Sequence, residues 1–527
     1  AGWIGAPSEE SVMADQEESF GENPFRRLKV GDFPQRKDAA RAEVNMRSTH
    51  MRRRPAGPAD ASAAAPAASP EDARDAELFL RAMSRVHPTR RSRKPEGFTL
   101  TEGDAGIPTC FTGTFSYGTG KPVMGILGEY DALSSLSQKA ADPHKEPLTE
   151  GAPGHGCGHC ALGTGALAAA IAVKEYLIAN KKDGTIIYFG CPAEEGAGAK
   201  QFMARAGMFD NVDFVYSWHP ATKNAVECNH SNAIMGANFY FKGVASHAGA
   251  TPYLGRSALD AVELMNVGCN YLREHMIPEA RIHYAYIDAG GTAPNVVQDH
   301  ATIRYEVRSP WVYQVKELFE RVKNVARGAS IMTDTSVECE LSMAFTEYLP
   351  NNALAKVADE CLQEVGAPKW DDADYAMAKE FLNTYPETTM ENIRTQIIET
   401  YGEDRLEEIL EKPLDSEIHP FNPDKIKLTA GSTDVGDVGY AAPTLNINIA
   451  TACVGNVGHS WQMVAQSCSP LAHKGLLTAA KVLALSCIRT MDRPDVIEAA
   501  KKEVTKRNGG HYTCPLPDSV QPPLDTY

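Results

Sequence analysis

The sequence of 527 residues contains no run of about 18 apolar residues, the length that a helix needs to cross a bilayer. Its longest candidate, ALGTGALAAAIAV (161–173), is followed at once by Lys174 and Glu175. Positive charge is also in deficit, because 52 Lys and Arg face 68 Asp and Glu, for a net charge of −16. A strongly acidic chain is repelled by nucleic acid and by anionic lipid, so neither partner is expected.

Cysteine is sparse, and its spacing excludes a disulfide-stapled fold. Twelve Cys are scattered singly through the chain, apart from the close pair Cys157 and Cys160. This usage is typical of a reducing compartment, so the sequence predicts a cytoplasmic protein.

The amino-terminal part differs in composition from the rest of the chain. AGPADASAAAPAASPEDARDAE (56–77) is rich in Ala, Pro and Ser, which predicts a disordered extension over residues 1–95. A targeting arm is the alternative, but the acidic stretch PSEESVMADQEESFGE (7–22) argues against a transit peptide.

From residue 96 onward, hydrophobic patterns predict two domains, one inserted in the other. Predicted strands at 121–130, 184–196 and 212–220 alternate with helical segments, which predicts an α/β domain with a mostly parallel sheet over 96–231 and 348–527. Residues 232–347 instead show the order β-α-β-β-α-β, which predicts a small inserted α+β domain of the split βαβ type.

Polar side chains follow the predicted parallel strands at the point where each strand ends. They are Glu129 with Asp131, the pair Glu194 and Glu195, His219 and His459, and the loop GHGCGHC (154–160) precedes a helix. Because the carboxyl ends of parallel strands meet at one edge of a sheet, we expect these groups to converge there.

Each of these groups has a plain structural explanation when it is taken alone. Glycine loops form for backbone reasons, adjacent Glu are commonly solvated, and a lone His is more often structural than a ligand. Together, however, they supply five metal donors: Cys157, His159, Glu195, His219 and His459. Five donors exceed the need of one tetrahedral ion, and Glu194 remains free as a base. The set therefore favours a two-metal hydrolytic site.

Nine motifs occur in an order that resembles a known family. They are GEYDAL, GHGCGH, PAEEGAGAK, SWHP, GVASHAG, LGRSALDAVELM, PNVVQ, STDVGDV and GHSWQ. The set resembles the metallo-amidohydrolases of the aminoacylase and carboxypeptidase G-type peptidase superfamily, and the resemblance covers about 105–527. Within that superfamily the likeness is strongest to B-type subunits that hydrolyse p-aminobenzoyl-glutamate.

The resemblance implies a role for each matching residue. The five donors would bind two divalent ions, Zn or Mn, with Glu194 as general base and Asp131 orienting a ligand. His247, on a lid formed by the inserted domain, would reach the active site of a partner subunit and help to hold the scissile carbonyl. Asn295, Arg308 and Arg256 would bind substrate, since a guanidinium can grip a carboxylate with two hydrogen bonds.

The expected activity is hydrolysis of the amide bond of an N-acyl amino acid, p-aminobenzoyl-glutamate above all, with release of the free amino acid. The expected assembly is a homodimer, or a heterodimer with a related A-type chain. Within the class, the alternative is a dipeptidase or another N-acyl-amino-acid amidohydrolase. Two alternatives lie outside the class of amidohydrolases. One is a non-catalytic binding protein on the same fold, and the other is a thiol–disulfide oxidoreductase using Cys157 and Cys160.

The chain departs from the family pattern at two places. Cys160 follows the second His of GHGCGH, where the family usually has Asp or Asn, and we expect that oxidation could join it to Cys157 and expel metal. RVHPTRRSRKPEGF (85–98) stands where the family has its opening helix, which leaves open an altered or inactive amino end.

Overall fold

A computed structural model of the chain describes residues 97–524. The predicted extension over 1–95 and most of the altered opening segment at 85–98 lie outside the described residues. The described chain forms two sheets and the helices that cover them.

The larger sheet has eight strands in the order β1-β2-β4-β3-β5-β12-β6-β11. Their bounds are β1 Thr99–Glu102, β2 Phe111–Tyr117, β3 Val123–Glu129, β4 Gly184–Cys191, β5 Phe214–Ala221, β6 Asn224–Val226, β11 Ile418–His419 and β12 Thr444–Ala450. The central pairs β4–β3, β3–β5 and β5–β12 are parallel, and antiparallel pairs lie towards the edges. The predicted α/β class with a mostly parallel sheet is confirmed.

Helices cover both faces of this sheet. One face carries α1 (His159–Asn180), α5 (Asn352–Val365), α11 (Pro470–Met491) and α12 (Pro494–Asn508), and the other carries α2 (Ala199–Arg205) and α9 (Val435–Ala441). The central strands are rich in apolar residues because both of their faces are covered: in β3, Ile126 packs in one core and Leu127 in the other.

The Ala- and Gly-rich sequence of α1 lets this helix lie very close to the sheet. A Cβ on Gly165 would meet the indole of Trp218 at 2.9 Å, and one on Gly163 would meet the Glu129 carbonyl oxygen at 2.7 Å. The close approach fixes the start of α1 beside the carboxyl ends of β3 and β5, where the predicted site residues lie.

Helices α1 and α11 are both long and apolar enough to pass a test for a membrane span. However, 56% of the apolar window of α1 and 61% of that of α11 are buried inside the protein. Core helices have the same length and composition, so these two helices are weak indications of a membrane span.

The second sheet is antiparallel and has four strands in the order β10-β7-β9-β8. They are β7 (Ala233–Lys242), β8 (Arg281–Asp288), β9 (His300–Ser309) and β10 (Ser336–Phe345), covered by α3 (Ala258–Leu272) and α4 (Val312–Thr333). The order along the chain is the predicted β-α-β-β-α-β. The division of the chain into domains at 232 and 347 stays a prediction.

Four more α-helices, two of them short, lie in the described chain. They are α6 (Asp372–Leu382), α7 (Glu387–Tyr401), α8 (Leu406–Glu411) and α10 (Trp461–Ser467). Helices α6 to α8 form two small apolar clusters with the loop that follows β12.

Candidate metal centre

The loop GHGCGHC brings two donors to the amino end of α1. Gly158 caps the helix with φ +78°, a conformation that favours glycine, and a Cβ there would meet Pro220 and Met463 at 2.9 Å. Cys157 therefore stands just before the helix, and His159 is its first residue, completely buried.

One group of donors consists of Cys157, His159 and His219, whose ligand atoms all lie within 4.8 Å of one another. His219 comes from β5, and its Nε2 is 3.4 Å from the Cys157 sulfur. Residues 62 positions apart thus meet at one edge of the sheet.

A second group shares Cys157 and adds Glu195 and His459, again within 4.8 Å. Glu195 follows β4, and its Oε2 lies 3.3 Å from Nε2 of His459. The structure therefore brings all five predicted donors together in two groups that share one thiol. That arrangement is suited to a pair of ions.

Two buried polar atoms of the donor residues have unsatisfied hydrogen-bonding capacity. Within the described chain, His159 Nε2 and Glu195 Oε1 are buried and have no hydrogen bond of normal geometry, although Glu129 Oε2 lies 3.3 Å from the imidazole nitrogen. Buried polar atoms are almost always satisfied, so both are the expected state of ligand atoms in a site that takes cations. The residues present therefore fit a two-ion centre.

Asp131 holds both of these ligands in place. Its Oδ1 lies 2.9 Å from His159 Nδ1, and its Oδ2 accepts a hydrogen bond of 2.9 Å from the Glu195 amide. Fixing Nδ1 orients Nε2 towards the cation site. The geometry matches the orienting role that the resemblance implied for this carboxylate.

The donor side chains shift one another's pKa values. Burial opposes ionisation of Cys157, yet the neighbouring imidazoles, His219 first, hold the pKa of its thiol well below the usual range. Against the same burial, the thiolate raises the pKa of His219 to about 9. Hydrogen bonds to Cys157 and Glu195 raise the pKa of His459 to about 10. Cations that bind these nitrogens must displace protons.

Glu194 lies beside the ligands and belongs to neither of these two groups, although its carboxylate also lies within 4.8 Å of donor atoms of Glu129 and His159. Its side chain is half-buried, and desolvation together with repulsion from Glu129 and Asp434 raises the pKa of its carboxyl well above the usual range. A carboxylate with a raised pKa in a cavity is suited to proton transfer. The preceding residue, Ala193, has φ +57°, an uncommon conformation for a residue with a side chain, which turns the chain here.

Lys200 was not singled out from the sequence, although it ends the motif PAEEGAGAK. Its side chain is 0% exposed, and its Nζ lies 2.7 Å from Glu129 Oε1 and 2.6 Å from Asp434 Oδ1. The backbone amide of Lys200 also donates to Asp434 Oδ2 at 2.9 Å. Asp434 comes from the motif STDVGDV, so two motifs meet in a buried ion cluster beneath Glu194 and His159.

The donors open into a cavity of about 450 Å³. Its walls include Glu194 and all the donors except His159, and the second sheet adds Glu306, Arg308 and Phe345. In the described chain, Arg308 Nε is buried without a hydrogen-bond partner, while its Nη2 lies 3.3 Å from Glu306. A guanidinium facing the cavity is placed to receive an anionic group.

Three predicted site residues lie away from this cavity within one chain. His247 is exposed and pairs with Val296 in a short bridge, and Asn295 accepts a backbone hydrogen bond from Ala248. Arg256 is engaged by Asp334, with Nε 2.8 Å from its carboxylate. These three residues are not among the cavity-lining residues.

Cys157 and Cys160 face different surroundings. The Cys160 sulfur lies 3.5 Å from the carbonyl oxygen of Ser467, and burial raises the pKa of its thiol to about 12. A protonated thiol directed at a carbonyl differs from the low-pKa thiolate beside it. The geometry gives no support to the oxidoreductase alternative, and oxidative joining of the pair stays a prediction.

The fold and the donor set define a class of protein. The chain belongs to Peptidase family M20/M25/M40, whose sequence profile matches residues 125–385. It is a metal-dependent amidohydrolase, and the resemblance inferred from the ordered motifs is confirmed.

Two relatives and one solved structure show what the chain is similar to. The chain is 40% identical over 430 residues to the B-type subunit of p-aminobenzoyl-glutamate hydrolase from Escherichia coli K12, covering 81% of this chain and 89% of that protein. It is 27% identical over 413 residues to Xaa-Arg dipeptidase of Mus musculus, covering 76% and 78% of the two chains. A solved structure of an aminohydrolase from methicillin-resistant Staphylococcus aureus shares the fold, with a TM-score of 0.52, 16% identity, and coverage of 79% of this chain and 91% of that one.

Proposed function

We propose that this protein hydrolyses the amide bond of p-aminobenzoyl-glutamate, releasing p-aminobenzoate and glutamate. The 40% identity to a bacterial hydrolase chain that carries this substrate in its name, over 89% of that chain's length, is the observation that carries the proposal. The cavity agrees with it, because Arg308 offers a guanidinium to a substrate carboxylate.

Cys157, His159, Glu195, His219 and His459 would hold two divalent ions, which when bound supply Lewis-acid activation of water and of the amide carbonyl. Glu194 accepts the proton of the attacking water, since its carboxylate faces the cavity beside the two groups that share Cys157. The same carboxyl then returns that proton to the leaving amine. Asp131 keeps His159 and Glu195 oriented throughout.

We propose Zn²⁺ or Mn²⁺ as the ions. The thiolate of Cys157 and the three imidazoles are ligands that Zn²⁺ prefers, while Glu195 adds a carboxylate oxygen of the kind that Mn²⁺ prefers. Metal supply decides between the two as much as affinity does.

We further propose that residues 232–347 form a lid that pairs with a second protomer, either another copy of this chain or a related A-type chain. The bacterial relative is named as one subunit of a hydrolase, which supports a two-chain assembly. Strand β8 is an edge strand that exposes Tyr284, Tyr286 and Ile287, and an open apolar edge is suited to strand pairing. His247, exposed and away from the cavity, would then reach the partner's site.

Mixing two inactive variants tests the role of His247 across protomers. Glu194→Gln and His247→Ala should each be inactive alone. Refolded together, half of the dimers are hybrids with one complete site, so about a quarter of wild-type activity should return. Each variant alone is the control, and absence of complementation in a mixture shown by mass to contain hybrids would contradict the proposal.

A substrate panel separates the proposed function from its alternatives. Glu306 lines the cavity beside Arg308, and a carboxylate there could hold a basic side chain, as in a substrate of the mouse dipeptidase relative. Purified protein should release glutamate from p-aminobenzoyl-glutamate with a higher kcat/KM than it cleaves dipeptides ending in Arg. The reverse order would favour the dipeptidase, and binding without turnover on every substrate would favour the non-catalytic alternative.

A further inference from the structure

The helical segment 372–415, which carries α6, α7 and α8, has no residue among those lining the catalytic cavity in the described chain. It packs instead against residues 451–460, here called the His459 loop, which connect β12 to α10. Cys453 and Val454 of the loop are buried in the two apolar clusters of the segment. The segment therefore contacts a metal-ligand loop from its outer side.

Tyr385, in the turn between α6 and α7, makes the most direct polar contact with this loop. Its hydroxyl donates a hydrogen bond of 2.9 Å to Asn456 Oδ1 and accepts one of 3.0 Å from the backbone amide of Val457. Val457 is two residues before His459. A single phenol thus fixes both a side chain and the backbone of the loop.

Further contacts join the helical segment to the His459 loop and to the start of α10. Gln462 donates to Thr384 Oγ1 at 3.1 Å, and the Val454 amide donates to the Pro413 carbonyl at 2.8 Å. Gly455 has φ +75°, and a Cβ on it would lie 2.5 Å from Ile393 Cγ2. The loop backbone therefore lies directly on α7.

His459 needs such support because of its own conformation. It has φ +56°, in the left-handed region that residues with side chains adopt at a cost, and its side chain is 57% exposed. Its backbone amide donates to the Gly156 carbonyl at 2.8 Å, and its Nε2 lies 3.3 Å from Glu195 Oε2. The segment contacts the loop residues just before His459, from Cys453 to Val457.

We propose that Tyr385 is a positioning residue that fixes the His459 loop, so that His459 is held ready to bind the second ion beside Cys157 and Glu195. This inference rests on the proposed two-ion centre. The phenol itself touches neither ion nor substrate, and it acts through Asn456 and Val457.

Tyr385→Phe tests the inference, with Tyr401→Phe as a matched control. Tyr401 lies in the same segment, is half-buried like Tyr385 and packs against the same apolar cluster, but its ring lies on His419, with ring centroids 5.4 Å apart, and its hydroxyl pairs with Asp415 and not with the loop. Metal-free wild type and both variants are titrated with Zn²⁺ by calorimetry, and exchange of the amides of residues 453–460 is followed in the same metal-free samples.

Loss of two hydrogen bonds should weaken binding of one ion about tenfold in Tyr385→Phe and leave the other ion unchanged. Exchange of the loop amides should quicken in that variant, excess Zn²⁺ should restore its kcat, and its KM should stay at the wild-type value. Tyr401→Phe should match wild type in all four measurements. A general structural defect would instead affect both ions and both variants.

Two ions bound with wild-type affinity in Tyr385→Phe would overturn this inference alone. A wild-type protein that binds no ion would overturn the metal centre and the inference with it. If Tyr385→Phe fails to fold, Asn456→Ala removes the acceptor from the loop side, and the same tenfold loss at one ion is expected from it.

Discussion

Replacement of Glu194 by Gln is expected to lower kcat by roughly 10²–10⁴-fold while leaving the metal content of the protein unchanged. Glu194 faces the cavity and stands outside both ligand groups, so the amide keeps its shape and hydrogen bonds but cannot accept a proton. Steady-state turnover of p-aminobenzoyl-glutamate and metal analysis of the same preparation check this result.

The neighbouring carboxylate provides the matched control. Glu195→Gln changes the same group by the same atoms, one residue along the chain, but removes a ligand from the pair Glu195 and His459. It should lose about one ion per chain as well as activity. If Glu194→Gln lost metal and Glu195→Gln kept it, the assigned roles of the two carboxylates would be reversed.

Replacement of Lys200 by Met is expected to destabilise the metal-free protein by roughly 3–5 kcal/mol. The ammonium is completely buried between Glu129 and Asp434, so its loss leaves two buried carboxylates facing each other. Isolated buried charges are among the most costly groups in a protein interior. Urea unfolding of metal-free wild type and variant measures the difference.

Lys474→Met is the control for this change. Lys474 also pairs with two carboxylates, those of Asp371 and Asp374. Its side chain is 32% exposed, where that of Lys200 is completely buried, so solvent screens its charge although Asp374 is buried. Its loss should cost about 1 kcal/mol or less.

A double variant separates the charge of the buried cluster from its shape. Removing Asp434 together with Lys200, as Lys200→Met with Asp434→Asn, takes away one charge of each sign. The double variant should therefore recover part of the stability lost in Lys200→Met, because only Glu129 then lacks its Lys200 partner, and it still lies 3.3 Å from His159 Nε2. The charge explanation would be contradicted if the double variant lost more free energy of unfolding than its two single variants lose together.

The convergence of the five donors could be predicted from the sequence because it depends on a simple rule of parallel sheets. Glu195 and His459 follow two strands and His219 lies near the end of a third, and the carboxyl ends of those strands meet wherever such a sheet forms. The short spacing of Cys157 and His159 then places both at the start of one helix.

The buried partners of the site could not be predicted in the same way. Lys200 stands in a Gly- and Ala-rich stretch where a solvated Lys is the ordinary expectation, and its partner Asp434 is 234 residues away. Tyr385 and Asn456 are 71 residues apart, in segments whose patterns describe only separate helices and loops. Such contacts depend on the packing of whole elements, which local patterns do not encode.

His247, Asn295 and Arg256 show a further limit of sequence motifs. Their motifs identify residue types, but a single chain does not bring them to the cavity, and Arg256 is engaged by Asp334 on the lid. The proposed role of His247 depends on a second protomer, whose placement against this chain local sequence patterns do not give.

The most direct test of the two-ion centre is a metal titration of activity. Protein stripped of metal by a chelator is supplied with Zn²⁺ or Mn²⁺, and glutamate release from p-aminobenzoyl-glutamate is measured against bound ions per chain. The donor groups around Cys157 predict no turnover without metal and full turnover at two ions per chain. Full turnover in the metal-free protein, or a plateau at a single ion, would contradict the centre described here.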